Sequence, residues 1–173
     1  RSRRQRQMCI RDRCDFGQKA HNFKLKSTDN KILSLNDVRG ENGTLIMFIC
    51  NHCPYVKAVT KDILEDCNEL KKIGINSVAI CANDAENYPE DSFDNMIEFA
   101  KKNKFNFPYL NDETQEIAKI YDAVCTPDFF GYNKNFELQY RGRLRELRDL
   151  VPVRSGESCL LYTSDAADDS LRV

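Results

Sequence analysis

The sequence predicts an α/β domain, a mixed central sheet flanked by helices. Three observations carry that expectation. Leu45-Ile46-Met47-Phe48-Ile49 is a continuous apolar run of the kind found in strands buried on both faces. A stretch of helical period separates it from a second strand-like run, Ile75 to Cys81, which is the β-α-β pattern of parallel strands. Near the end, two aromatic runs flank Asn133-Lys134-Asn135 and read as an antiparallel hairpin.

In chain order, His21 to Val38 alternates enough to make two short strands around an Asp29-Asn30 turn. The apolar run at 45–49 ends at Cys50-Asn51-His52-Cys53-Pro54. A helix follows, with Val56, Val59, Ile63, Cys67 and Leu70 on one stripe, Lys71 and Lys72 in the last turn, and Gly74 as its stop. The strand Ile75 to Cys81 closes in Ala82-Asn83-Asp84. Pro89 to Lys104 reads as a helix capped by Asp91 or Ser92. Phe107 to Leu110 is short and apolar, and Asp112 with Gln115 has the spacing of a capping box for a helix through Tyr121. Phe129 to Tyr132 and Phe136 to Tyr140 form the hairpin. A strand pair, a parallel β-α-β unit with a helical insertion, and a closing hairpin make the layout of a thioredoxin-like sheet.

The chain has 173 residues, 41% hydrophobic and 31% charged, enough for one core. A net charge of -1 gives no field to recruit nucleic acid or acidic lipid, and no apolar run approaches the ~18 residues that span a bilayer. Neither nucleic acid nor a membrane is expected as a partner. The charge is unevenly placed: all 13 Lys and all 15 Asn lie between Lys19 and Asn135, whereas both ends draw positive charge from Arg alone. Gln7 to Arg13 and Leu160 to Asp169 resemble translated sequencing-adapter sequence. The expected organisation is therefore a non-native or disordered segment over 1–13, a thioredoxin-like domain over 14–143, and a non-native or disordered tail over 144–173.

The chemistry lies in Cys50-x-x-Cys53, placed where a buried strand gives way to a helix. Unpaired N–H groups and the helix dipole stabilise a thiolate there, and the thiolate is the nucleophile of disulfide exchange. Cys50 is expected at the helix edge as the attacking thiol. Cys53 is expected one turn inside, more buried, as the resolving thiol. His52 adds a nearby positive charge or N–H donor and should lower the Cys50 pKa further; an exposed imidazole at a helix start is the bland alternative. Thr126-Pro127 precedes the last hairpin, and in this layout Pro127 is a candidate for a cis peptide. Cys125 should lie near the pair, as a third redox thiol or a small core residue. Asp84, at the carboxyl edge of a parallel strand, is the candidate proton acceptor for Cys53, or else the cap of the next segment.

Cys14-Asp15-Phe16-Gly17, Phe48 through Lys57, Ala82-Asn83-Asp84, Tyr88-Pro89-Glu90-Asp91, Phe107-Pro108-Tyr109-Leu110 and Cys125-Thr126-Pro127-Asp128-Phe129-Phe130 together resemble one family. It comprises the thioredoxin-like, redoxin-type proteins related to the alkyl hydroperoxide reductase/thiol-specific antioxidant group. The resemblance implies that Cys50 and Cys53 form the dithiol and that Pro127 is the cis-proline facing it. It also implies a closing helix after the hairpin. Arg145 to Val151 has room for one short helix before Pro152 but does not look like the family's ending, so the closing helix is expected to be missing.

The function expected is thiol–disulfide oxidoreductase, with an antioxidant or redox-homeostasis role. Its partners would be protein or small-molecule thiols and disulfides together with an unidentified reductant. No cofactor or metal is expected. A peroxiredoxin-like thiol peroxidase is the alternative. Peroxidases of that group present their cysteine in Pro-x-x-x-Thr-x-x-Cys, and the matching positions here are Gly43 and Met47 before Cys50, or Ile46 and Cys50 before Cys53. A second alternative is a metal-binding module built on Cys50, Cys53, His52 and Cys125. Six cysteines between Cys14 and Cys125, without disulfide-framework spacing, point to a reducing compartment and a cytoplasmic location.

Overall fold

The computed structural model describes residues 16–145, 147, 148 and 150–152. Strands β1 (Lys24–Ser27) and β2 (Ile32–Ser34) form the expected antiparallel pair. Asn30 sits in the turn at φ 63°, a left-handed conformation that its short polar side chain tolerates. Strand β3 (Gly43–Phe48) is buried throughout, and helix α1 (Pro54–Lys72) follows, burying the predicted stripe from Val56 to Leu70. Gly74, at φ 79°, turns the chain out of the helix into strand β4 (Ile75–Cys81). A 3₁₀ turn (Pro89–Asp91), helix α2 (Phe93–Asn103), strand β5 (Tyr109–Asn111) and helix α3 (Glu116–Ile120) form the insertion. Strands β6 (Asp128–Asn133) and β7 (Leu138–Gly142) are the hairpin.

These seven strands form one mixed sheet in the order β2-β1-β5-β4-β3-β6-β7. β3 lies at its working centre, parallel to β4 and antiparallel to β6. At Gly43 the partner strand comes so close that an added Cβ would meet the Tyr132 carbonyl oxygen at 2.5 Å. Side chains alternate across β3. Leu45 and Met47 face a core shared with α1 and Met96, while Ile46 and Phe48 face one built from Phe23, Ile80, Leu110 and Phe130.

Three local expectations change. The helix expected over 89–104 is broken at Ser92, whose ψ of 153° separates the 3₁₀ turn from α2. Ser92 Oγ caps α2 by accepting from the Asn95 N–H at 3.4 Å, while Asp91 turns inward instead. The capping box at Asp112 and Gln115 does not form. Gln115 is left-handed and donates its amide to the Ala82 carbonyl, and Asp112 accepts from the Ala118 N–H at 2.8 Å.

The third change concerns the chain after β7. Leu144 is 1% exposed and belongs to the core on the α1 side, so packing continues past the boundary expected at 143. Leu147–Arg148 (β8) and Val151–Pro152 (β9) pair as a small antiparallel ladder in place of the short helix, with Leu150 at φ 63° in the turn. Residues 1–13, Cys14 and residues 153–173 lie outside the described residues, and with them both adapter-like strings.

Candidate active site

Strand β3 delivers the Cys50–Cys53 loop, and the strand's ladder reaches one residue beyond its end, with the Ile49 N–H donating to the Ile80 carbonyl at 3.0 Å. The helix starts later than expected. Pro54 occupies its first turn and Cys53 is the N-cap, at φ -58° and ψ 121°. Proline suits a first helical position because its missing N–H would have no partner there. It also disfavours helical geometry in the residue before it, which holds Cys53 outside the helix.

That shift reverses the physical basis for the expected roles. Cys53, not Cys50, stands at the helix start, and Cys53 is 9% exposed against 1% for Cys50. The two thiols influence each other's titration in opposite directions. The neighbouring Cys50 thiol, followed by the Val56 N–H, the Thr126 hydroxyl and the Tyr55 N–H, outweighs burial and pulls Cys53 from an ordinary thiol's 9.0 down to about 5. Cys50 is pushed up, first by its neighbour Cys53, then by burial and by the charge of Asp91, against the Thr126 hydroxyl.

Thr126, just before β6, closes the other side. The Thr126–Pro127 bond is cis, as expected. Thr126 Oγ1 lies 3.3 Å from Cys50 Sγ, and the Thr126 carbonyl accepts from the Cys53 thiol at 3.4 Å. That carbonyl favours the protonated form of Cys53, whereas the helix N–H groups and the Cys50 thiol favour the thiolate. In the Cys50–Thr126 contact either the thiol or the hydroxyl can donate.

His52 does not aim at a sulfur. Its Nδ1 hydrogen-bonds to Asp91 Oδ2, and its ring stacks on Tyr88 with centroids 4.9 Å apart. A carboxylate only accepts, so Nδ1 carries the hydrogen. Asp91 is the residue that sequence reasoning missed. It is 2% exposed, and its Oδ1 accepts the Asn51 N–H at 2.6 Å and the His52 N–H at 3.2 Å. Its Oδ2 also takes the Asn83 amide at 2.7 Å. Asn51 is held further by Tyr109 and by the Glu90 carbonyl, each at 3.0 Å.

Asp84, expected to serve Cys53, instead caps its own turn, accepting from the Glu86 N–H at 2.9 Å and the Asn87 amide at 2.6 Å. Those bonds, the Asn87 side chain first, lower its pKa. Cys125 is half-buried and lines a groove with Phe48, Asn83, Lys119 and Val124.

Among the described residues, Cys50, His52 and Asp91 bring a sulfur, a ring nitrogen and a carboxylate oxygen within 4.8 Å of one another. Such a set invites a metal ion, but four N–H groups already fill the acceptor positions of Asp91, and Nδ1 of His52 is one of those donors. A cation would displace the bonds that hold the loop. The donor set fits a hydrogen-bonded hub and does not fit a metal centre. No helix of the described residues is long and apolar enough to cross a membrane.

Residues 16–147 match the sequence model of the AhpC/TSA family. No curated protein matches the chain. An uncharacterized conserved protein of Geobacillus kaustophilus is 44% identical over 82% of this chain and 75% of its own, with a TM-score of 0.78. A hypothetical protein of Sinorhizobium meliloti 1021 is 29% identical over 92% of this chain and 86% of its own, with a TM-score of 0.80. The thioredoxin domain of a thiol-disulfide oxidoreductase from Bacteroides vulgatus shares the fold, with a TM-score of 0.63 at 17% identity over 80% of this chain and 94% of its own.

Proposed function

Because the chain belongs to the AhpC/TSA family, whose members are thiol–disulfide oxidoreductases or peroxiredoxin-like redoxins, we propose that it exchanges disulfides through a Cys50/Cys53 dithiol. One observation carries the reading: both sulfurs meet Thr126 at a helix start, Cys50 Sγ 3.3 Å from its Oγ1 and the Cys53 thiol donating to its carbonyl at 3.4 Å. A pair so held keeps one sulfur charged and the other close enough to resolve an intermediate.

In this reaction the Cys53 thiolate attacks a substrate disulfide, forming a mixed disulfide and releasing one substrate thiolate. Cys50 passes its proton to that leaving group, then attacks Cys53 Sγ and expels the second substrate thiolate. The protein ends as the Cys50–Cys53 disulfide, oxidised by two electrons, and the substrate ends as one thiol and one thiolate, which takes its proton from water. Run backwards, the same steps oxidise a dithiol. Which way the protein works depends on its potential. A stabilised thiolate favours the reduced form and makes the pair oxidising, above thioredoxin's roughly -270 mV.

The substrates we propose are protein or small-molecule disulfides, in a reducing compartment such as the cytoplasm. The peroxidase reading lacks support at the loop, because neither cysteine has the Pro and Thr that peroxidases place before theirs. The test is a titration of the reduced protein with glutathione disulfide, followed by peptide mapping. The expected product is an intramolecular Cys50–Cys53 disulfide with two glutathione thiols released, at a potential above that of thioredoxin. Peroxide turnover that persists in a protein with only one of the two cysteines would overturn the proposal.

A further inference from the structure

A groove of about 520 Å³ opens between α1 and α2, against the redox loop. We infer that it binds a low-molecular-weight disulfide whose arms carry both carboxylate and ammonium groups, the chemistry of glutathione disulfide, and so sets the substrate class of the dithiol. The inference rests on the exchange reading of the site and adds what the protein exchanges with.

The lining ties the groove to the sulfurs. Asn51, between the two cysteines, reaches it from the loop, and Lys57 lines it from α1. Lys57 stands one helical turn beyond Cys53, and its N–H donates to the Cys53 carbonyl at 3.1 Å. Glu90 comes from the 3₁₀ turn, and Glu98, Phe99 and Lys102 from α2. The Asn51 amide donates to the Glu90 carbonyl at 3.0 Å, so the wall that carries Glu90 is fixed to the loop. The volume falls within the range of small-molecule sites, about 300–1,000 Å³.

The charges name the ligand. Glu98 and Lys102 are one turn apart on α2, a spacing at which helix charges pair. On α1 such neighbours do pair, Lys61 with Glu65 at 3.7 Å and Lys72 with Glu69 at 2.7 Å. Among the described residues, Lys57, Glu90, Glu98 and Lys102 are exposed, and none of the four side chains makes an ion pair or hydrogen bond. Two ammonium groups and two carboxylates thus face one groove unneutralised. A ligand of one sign meets like charge from half of them, whereas a zwitterion satisfies both kinds. Half-buried Phe99 gives the aliphatic part of such a ligand a surface to lie on. The groove at Cys125 has Lys119 as its one charged residue and offers an ammonium group no counterpart.

The test compares oxidation of the reduced protein by glutathione disulfide with oxidation by uncharged 2-hydroxyethyl disulfide, as a ratio of kcat/KM values. Lys57→Gln combined with Lys102→Gln should lower that ratio about fivefold, the scale for two exposed ion pairs. Glu90→Gln combined with Glu98→Gln should lower it by a similar factor. The second result is the discriminating one, because glutathione disulfide is a net anion and removing two carboxylates would raise the ratio if net charge alone steered it. A rise in the Glu90/Glu98 variant, or an unchanged ratio in either folded variant, would overturn the proposal. Binding is read separately with S-methylglutathione, which has no disulfide to exchange. It should shift the amide NMR signals of Asn51, Lys57, Glu98 and Lys102, and more weakly in both double variants. Shifts confined to other residues, or none, would overturn this inference and leave the exchange reading standing. Shifts at the groove in a protein that forms no Cys50–Cys53 disulfide with either oxidant would refute the exchange reading and leave the binding site.

Discussion

The Tyr109 phenol donates to the Asn51 amide oxygen across 3.0 Å, tying strand β5 to the loop between the two cysteines. Both groups are buried, so neither has water to fall back on. Tyr109→Phe leaves the amide oxygen without its donor, which costs about 1–3 kcal/mol. Urea unfolding should show that loss, with the fold otherwise intact. An unchanged midpoint would mean that the loop does not depend on this anchor.

The order of attack is open to trapping. Cys50→Ser should accumulate a mixed disulfide on Cys53 when challenged with glutathione disulfide, since no second thiol is in reach to resolve it. Cys53→Ser should trap nothing, having lost the sulfur proposed to attack. Mass spectrometry of the intact protein distinguishes the two, and the opposite pattern would assign the attack to Cys50.

Stability of the reduced protein should depend on pH in a window set by Cys53. Its folded value of about 5 lies below the unfolded 9.0, so between those limits the unfolded chain holds a proton that the folded one has released. Stability therefore rises with pH from about 5 to 9 and is lost as pH falls through that range. Above 9 the sign reverses, because folded Cys50 keeps its proton while the unfolded thiol gives it up. Measured against a variant with both cysteines changed to serine, the difference in urea midpoint should climb across this window. A flat difference would show that no thiolate is stabilised.

Leu144 tests where the domain stops. Its side chain is buried against the α1 core, and Leu144→Ala should cost about 2–5 kcal/mol. Deleting residues 1–13, which have no patterned apolar face, should leave the thermal midpoint unchanged. A neutral Leu144→Ala would return the boundary to 143.

Most of the order of elements along the chain was legible in local chemistry. Apolar runs, the Gly74 stop and the Asn-rich turn each specify their element without help from distant residues. The dithiol and Thr126-Pro127 were legible for the same reason. The start of the helix was misplaced, although Pro54 held the signal: a proline there pins the preceding cysteine outside the helix. Asp91 stood in Tyr88-Pro89-Glu90-Asp91, one of the strings that carry the resemblance, but nothing local tied it to the cysteine loop. It is one of 27 acidic residues in the sequence, some 40 positions from the cysteines it serves, and its significance arises only when the 3₁₀ turn folds against the loop. Leu144 was set aside because the Arg-only ends made everything past the hairpin look foreign.

The alternation along β3 has a consequence for how the protein comes apart. The two clusters it divides share this strand as a common wall, so neither can melt while the other persists. The Phe48–Phe130–Tyr121 rings on one side and Phe105–Tyr109 on the other should report a single cooperative transition. Because the cysteine loop is the direct continuation of that wall, thiol reactivity is itself a probe of global unfolding.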